Sequence, residues 1–159
     1  MSPDEQIAVA DPRAPDVRAL LEQHREFALA HTPRQHSFAL DVDGLLEPAL
    51  TLFGCRASGS LLGIGALKRL DHQHAEIKSM HTARAARGRG VGRRMLIHLV
   101  QFARGSGFRR VSLETGTASA FAPARALYVT AGFVPCGPFA DYRPSEHNTF
   151  MTLDLGRSG

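Results

Sequence analysis

The run Arg87-Gly88-Arg89-Gly90-Val91-Gly92 joins a segment of alternating polar and apolar residues to an amphipathic one. The chain must therefore pass from strand to helix through a turn that carries almost no side chains. Glycine tolerates the left-handed backbone angles of such a turn and lets a bulky group approach the main chain. The exposed N–H groups, with the positive end of a helix behind them, suit an anion such as a pyrophosphate. Arg87, Arg89 and Arg93 add positive charge around the turn. A P-loop is excluded, because Arg93 and Arg94 follow Gly92 where that motif needs Lys and then Ser or Thr. The dinucleotide fingerprint fits in part: Gly88 and Gly90 are correctly spaced, position 93 is Arg instead of Gly, and Glu114 lies roughly where a ribose-binding acid belongs. A nicotinamide-binding reading stays open on these residues.

With 159 residues, 43% of them hydrophobic, the chain has the size of one domain with a buried core. We expect a single domain over 1–159, with its core at about 6–155. The net charge of +4 suits an anionic ligand, yet the arginines concentrate between positions 84 and 94. Aromatic residues are 7% of the chain and Trp is absent, so no stacking platform accompanies the basic residues and nucleic acid is not an expected partner. Two cysteines, Cys55 and Cys136, make neither a disulfide framework nor a zinc site, and Cys55 reads as inert packing. His24 and His31 are seven apart on one helix face, a spacing more typical of solvated or capping histidines, and no metal is predicted. The first residues lack a basic and apolar signal region and no apolar run reaches membrane-spanning length. The expectation is a soluble cytoplasmic protein without a membrane partner.

A short strand at 7–9 precedes an amphipathic helix opened by Pro15, with Val17, Leu20, Leu21, His24 and Phe27 on its buried side and Pro33 ending it. Residues 34–48 read as loop with one helical turn. Strands follow at 49–56, 61–70 and 74–82, joined by tight turns and therefore antiparallel. After the glycine turn, Val91, Met95, Leu96, Leu99 and Phe102 mark the buried side of a helix that Gly105 and Gly107 terminate. A strand at 109–115 comes next, and a helix crossing between it and 74–82 makes those two strands parallel neighbours. Pro123 starts a short helix ending at Gly132, and a final strand covers 148–155.

This order of elements, with Arg-x-x-Gly-x-Gly at 87–92 and Leu127-Tyr128-x-x-x-Gly132-Phe133 downstream, resembles the GCN5-related N-acetyltransferase family, GNAT. The runs Leu113-Glu114-Thr115-Gly116 and Phe121-Ala122-Pro123-Ala124 resemble a bacterial subgroup of it. The resemblance implies an α/β (α+β) fold: a mixed, mostly antiparallel sheet, a central parallel strand pair splayed to hold the cofactor, and helices on both faces. It further implies an acetyl-CoA-dependent N-acetyltransferase whose turn, from Arg87 through Gly88, Arg89, Gly90, Val91 and Gly92 to Arg93, holds the pyrophosphate. The half-polar strand Glu76-Ile77-Lys78-Ser79-Met80-His81 agrees, since a dinucleotide-fold strand covered on both faces would be almost continuously apolar.

Acetyl transfer needs a neutral amine, a stabilised oxyanion and a proton for the departing thiolate. By resemblance Tyr128 is the general acid, its phenol near pKa 10 being a donor at neutral pH. The backbone of Met80, His81 and Thr82 supplies the oxyanion donor and binds the pantetheine arm as an added strand would. Glu76 stands where many family members place the base, with Glu114 as competitor; if both share the cleft, one pKa rises. Against catalysis, Tyr128 could simply pack, and Glu76 could pair with Lys78, which shares its strand face. Glu26, His31, Arg34, His36, Tyr142 and Arg143 are the candidates for holding the acceptor, a small-molecule or peptide amine. Cys136, near the end of the Gly132-Phe133 turn, is the residue an acetyl-cysteine route would use, whereas direct attack is expected. A CoA-binding module without catalysis is the alternative from another class. Homodimerisation through the C-terminal strand is a family habit.

Overall fold

The computed structural model describes residues 3–156. Seven strands form one sheet in the order β1-β2-β3-β4-β5-β7-β6: β1 (Gln6–Val9), β2 (Leu50–Ala57), β3 (Ser60–Arg69), β4 (His74–Thr82), β5 (Arg110–Gly116), β6 (Val134–Pro135) and β7 (Asn148–Asp154). Only β4 and β5 run parallel. The helices are α1 (Pro15–His31), a single turn α2 (Val42–Leu45), α3 (Val91–Gly105) and α4 (Ala122–Thr130). The expected fold class, including the parallel pair and helices on both faces, is the one observed.

Strand alternation sorts side chains to two faces. On one face, Ala75 and Ile77 of β4 and Val111 and Leu113 of β5 pack against Val91, Met95, Leu96, Leu99 and Ala103 of α3. Leu99 alone, fully buried, contributes about 1.5–3 kcal/mol. The close approach of α3 depends on Gly65 of β3, where a Cβ would meet Met95 Cγ at 2.8 Å. On the other face, Val17, Leu20 and Leu21 of α1 cover Leu52, Ile64 and Ala66 of β2 and β3. An ion pair from Arg56 to Asp16 at 2.6 Å ties the start of α1 to β2.

Three expected core positions differ. Phe102 is 38% exposed and stacks edge-on against Phe53, because the buried stripe of α3 runs 91, 95, 99 and 103 and leaves position 102 at its margin. His24 and Phe27 are half-buried: α1 overhangs a cleft at that point, and Ala28 takes the buried seat. The segment between α1 and β2 holds a 3-10 turn at Arg34–His36 before α2, and β6 is a two-residue strand that alternation is too short to reveal.

What opens the sheet is the register. β4 and β5 pair only from His74↔Arg110 to Ile77↔Leu113, and β4 beyond Ile77 keeps β3 alone as its neighbour. A bulge in β4 accompanies the parting: the β3 register shifts between Ile64 and Ala66, and Ser79 sits at φ 56°, a left-handed value that a non-glycine residue seldom adopts. Below the split, His74 Nε2 and Ser112 Oγ lie 2.7 Å apart and Ser112 Oγ and Thr152 Oγ1 2.8 Å apart, pinning β4, β5 and β7 together.

Candidate active site

A cavity of about 420 Å³ fills the wedge between the parted strands. At one end lies the glycine turn. Gly88 and Gly90 have φ of 75° and 79°, and Gly90 caps α3 without any side-chain hydrogen bond. From Gly88 to Arg93 no backbone N–H has a partner among the described residues, the first bonded amide being Arg94 N–H to Gly90 O. Such a run of donors at a helix start fits a pyrophosphate. Arg87 lines the cavity, while Arg89 and Arg93 are exposed beside it. Arg94 turns the other way, pairing with Glu5 and donating to Arg89 O at 2.9 Å.

Met80, His81 and Thr82 line the middle, with the β5-facing edge of their backbone unpaired. Gly92 and Val91 face them from the helix start. Tyr128, from α4, closes this part from the opposite wall. Its ring is 7% exposed and packs on Phe133 with centroids 6.0 Å apart, yet its hydroxyl has no hydrogen-bond partner among the described residues. Burial first, then the Glu114 carboxylate, pushes its pKa up to about 12. The phenol therefore holds its proton throughout the neutral range.

The other end of the cavity is polar. Even-numbered positions of β4 and β5 point to the face that α1 leaves uncovered, which brings Glu76, Lys78 and Glu114 together as lining residues. Glu76, only 3% exposed, accepts from the Tyr142 hydroxyl at 2.5 Å and from Lys78 Nζ at 3.4 Å, while Lys78 also donates to Tyr142 at 2.9 Å. Glu114 accepts one bond, from Asn148 Nδ2 at 2.8 Å. Desolvation raises the Glu114 pKa above the ordinary carboxylate range despite that bond and the opposing charge of Lys78. The Lys78 contact foreseen for Glu76 thus exists, and two carboxylates do share the cleft.

Of the residues singled out for the acceptor, His36 lines the cavity and Tyr142 stands directly behind Glu76 and Lys78. Glu26, His31, Arg34 and Arg143 are exposed and outside the lining, although the His31 ring packs on Phe27 at 4.7 Å. Cys136 follows β6, bonds its N–H to Phe150 O and is not among the residues lining the cavity.

For His81 the sequence implicates the backbone alone, and the structure adds the side chain. Its ring faces His24 across the cavity wall, with the two Nδ1 atoms 3.2 Å apart, so one ring must donate and the other accept. Burial holds both neutral, His24 pushed down to about 3 and His81 to about 4, with Arg87 adding to the effect on His81. Ser79 also lines the cavity, and its buried Oγ has no partner among the described residues. No cluster of three or more His, Cys, Asp or Glu side chains suited to a metal occurs among the described residues. No helix of the described residues is long and apolar enough to cross a membrane.

A sheet that parts at a donor-rich turn, with a buried phenol and carboxylates in the wedge, has the shape and the donors that suit an extended, phosphate-bearing cosubstrate. Comparison with known proteins agrees. The sequence model of the Acetyltransferase (GNAT) family matches residues 15–133, and the chain belongs to that family, whose cosubstrate is acetyl-CoA. It is 42% identical to the uncharacterised N-acetyltransferase YedL of Escherichia coli K12, over 94% of each chain. It is 38% identical to the uncharacterised N-acetyltransferase YsnE of Bacillus subtilis 168, over 94% of this chain and 99% of that one. Its fold is similar to that of a GNAT family acetyltransferase from Elizabethkingia anophelis with acetyl-CoA bound, with a TM-score of 0.70 at 17% identity over 96% of this chain and 99% of that one. Family and fold together remove the nicotinamide alternative: β4, the strand before the turn, has an antiparallel neighbour on one side, unlike the first strand of a dinucleotide unit.

Proposed function

We propose that this chain, acting as one N-acetyltransferase domain, moves an acetyl group from acetyl-CoA to a primary amine by direct attack. The observation that carries the reading is the meeting, in one cavity, of the unpartnered Tyr128 hydroxyl, the singly bonded Glu114 carboxylate and the free β4 edge. The turn from Arg87 to Arg93 binds the pyrophosphate, and the edge of Met80, His81 and Thr82 takes the pantetheine amides and offers a backbone N–H to the oxyanion.

Glu114 is the better base of the two carboxylates. Glu76 already accepts from both Tyr142 and Lys78, so its role is to fix those two side chains, whereas Glu114 accepts a single bond and has a raised pKa. Glu114 takes the proton that the amine nitrogen loses as its bond to the acetyl carbon forms. The carbon–sulfur bond breaks, and Tyr128 gives its proton to the departing sulfur. No side-chain acyl intermediate is required, and Cys136 is not among the residues lining the cavity.

The test is thermal unfolding of the purified protein against acetyl-CoA, CoA, NAD and NADP, followed by thiol release with a panel of amines. Saturation at about 100 times the dissociation constant adds roughly 2.7 kcal/mol to stability. Stabilisation by the two CoA forms with amine-dependent thiol release is the expected result. Stabilisation without turnover of any amine would leave a CoA-binding module, and none by either CoA form would refute the reading.

A further inference from the structure

We propose that the acceptor is a small primary amine on a compact aromatic or apolar body, lacking an α-carboxylate, and not the terminus or lysine of a polypeptide. The inference rests on the acetyltransferase reading and names the class of acceptor that the same cavity admits.

Size comes from a roof. Residues 36–38, after α1, and 139–148, before and into β7, meet over the polar floor of the sheet. The Phe38 and Tyr142 rings stand 5.0 Å apart, as do the His36 and His147 rings. Asn148 Nδ2 donates to His36 O at 2.9 Å while also donating to Glu114. Tyr142 is bonded from above to Glu76 and Lys78 on the strand below. These contacts tie the two sides of the cleft together over β4 and β5, so an extended peptide crossing this end would have to part them. A peptide would also bury backbone N–H and C=O groups against Phe27 and Phe121, whose rings stack 5.3 Å apart on the cavity wall, without partners for them. Of the strand edges that part in the wedge, that of β4 at Met80, His81 and Thr82 is the one the cosubstrate needs, and the edge of β5 past Leu113 lies beside Glu114.

Charge excludes the α-carboxylate. Lys78 is the cation that lines this end among the described residues, and Glu76 beside it balances its charge. Glu114, which faces the amine, would repel a carboxylate only two bonds from the amine nitrogen. What remains is a site with acidic character at its floor and rings at its sides, suited to an ammonium head and a flat body.

The experiment compares kcat/KM for 2-phenylethylamine, phenylalanine and a tripeptide with a free N-terminus, each with saturating acetyl-CoA. We expect 2-phenylethylamine to exceed both others by at least about tenfold, an unpaired buried polar group being worth that or more. Phe27→Ala should raise KM for 2-phenylethylamine with acetyl-CoA stabilisation unchanged. Equal or faster acetylation of phenylalanine or of the tripeptide overturns the inference and leaves the acetyltransferase reading intact. Absence of turnover with 2-phenylethylamine also overturns it, and the acetyl-CoA thermal shift then tells whether the broader reading falls with it.

Discussion

Replacing Tyr128 by Phe separates catalysis from packing, because the two roles of this residue occupy different atoms. The ring is 7% exposed and meets Phe133, contacts that Phe retains. The hydroxyl has no partner among the described residues, so its removal orphans no donor or acceptor. A volume-conserving change of this kind costs less than about 1.5 kcal/mol, and about 1 kcal/mol corresponds to a Tm change of about 2–4 °C at this chain length. Loss of a positioned general acid is worth about 10²–10⁴ in rate, or about 2.7–5.4 kcal/mol at about 1.36 kcal/mol per factor of ten. The expected outcome is a kcat reduced at least 100-fold, with Tm almost unchanged and the acetyl-CoA dissociation constant within about threefold of wild type, a spread that is only ~0.65 kcal/mol. Thiol release measures the first, a thermal scan the second and titration calorimetry the third. A kcat within tenfold of wild type, or a dissociation constant that rises in step with the loss of rate, would refute the acid role and make Tyr128 a packing residue.

Glu114→Gln should cost more in kcat than Glu76→Gln, and the wild-type kcat/KM should rise with pH through a limb above the ordinary carboxylate range, since the base works ionised and its pKa is raised; a larger loss in Glu76→Gln reverses the assignment. His24 and His81 are depressed to about 3 and about 4, so the unfolded chain binds their protons first, and stability that is complete above about pH 6.5 is lost as pH falls from there through 4 towards 3. A Tm profile flat across that window, or one unchanged by His24→Gln, would contradict this. Gly90→Ala places a Cβ 2.6 Å from Arg94 at φ 79° and should cost about 1–2 kcal/mol of stability together with weaker acetyl-CoA binding, read by thermal scan and calorimetry. Cys136→Ala should retain most of its turnover in the thiol-release assay; complete loss would revive a covalent route.

The sequence carried the parts of this molecule that depend on neighbours along the chain. Alternation in 74–82, the glycines of the turn and the apolar stripe of α3 each act within a few residues, and the parallel pairing of β4 and β5 followed from the crossing helix. The turn and Tyr128 were found through motifs for the same reason. The contacts that shape the acceptor end are long-range. Tyr142 meets Glu76 across 66 positions and His24 meets His81 across 57, and no spacing rule predicts either. Ser79 at φ 56° was equally hidden, because serine is an ordinary strand residue and only the shift against Ile64 and Ala66 forces the bulge. Phe102 misled because a stripe at helical spacing has margins, and position 102 falls on one beside the buried Ala103.

Arg94 sits among the arginines of the turn, yet its guanidinium is spent on Glu5 and on the carbonyl of Arg89. It acts as a splint: the loop is braced from behind by the residue that leads into the first strand, and its curvature does not wait for a ligand. Pre-organisation of this kind removes an ordering penalty from association. The anion would then be captured at the rate of encounter, and weakening the splint, for example by Glu5→Gln, would appear as slower capture and a larger entropic cost, with every donor of the turn still present.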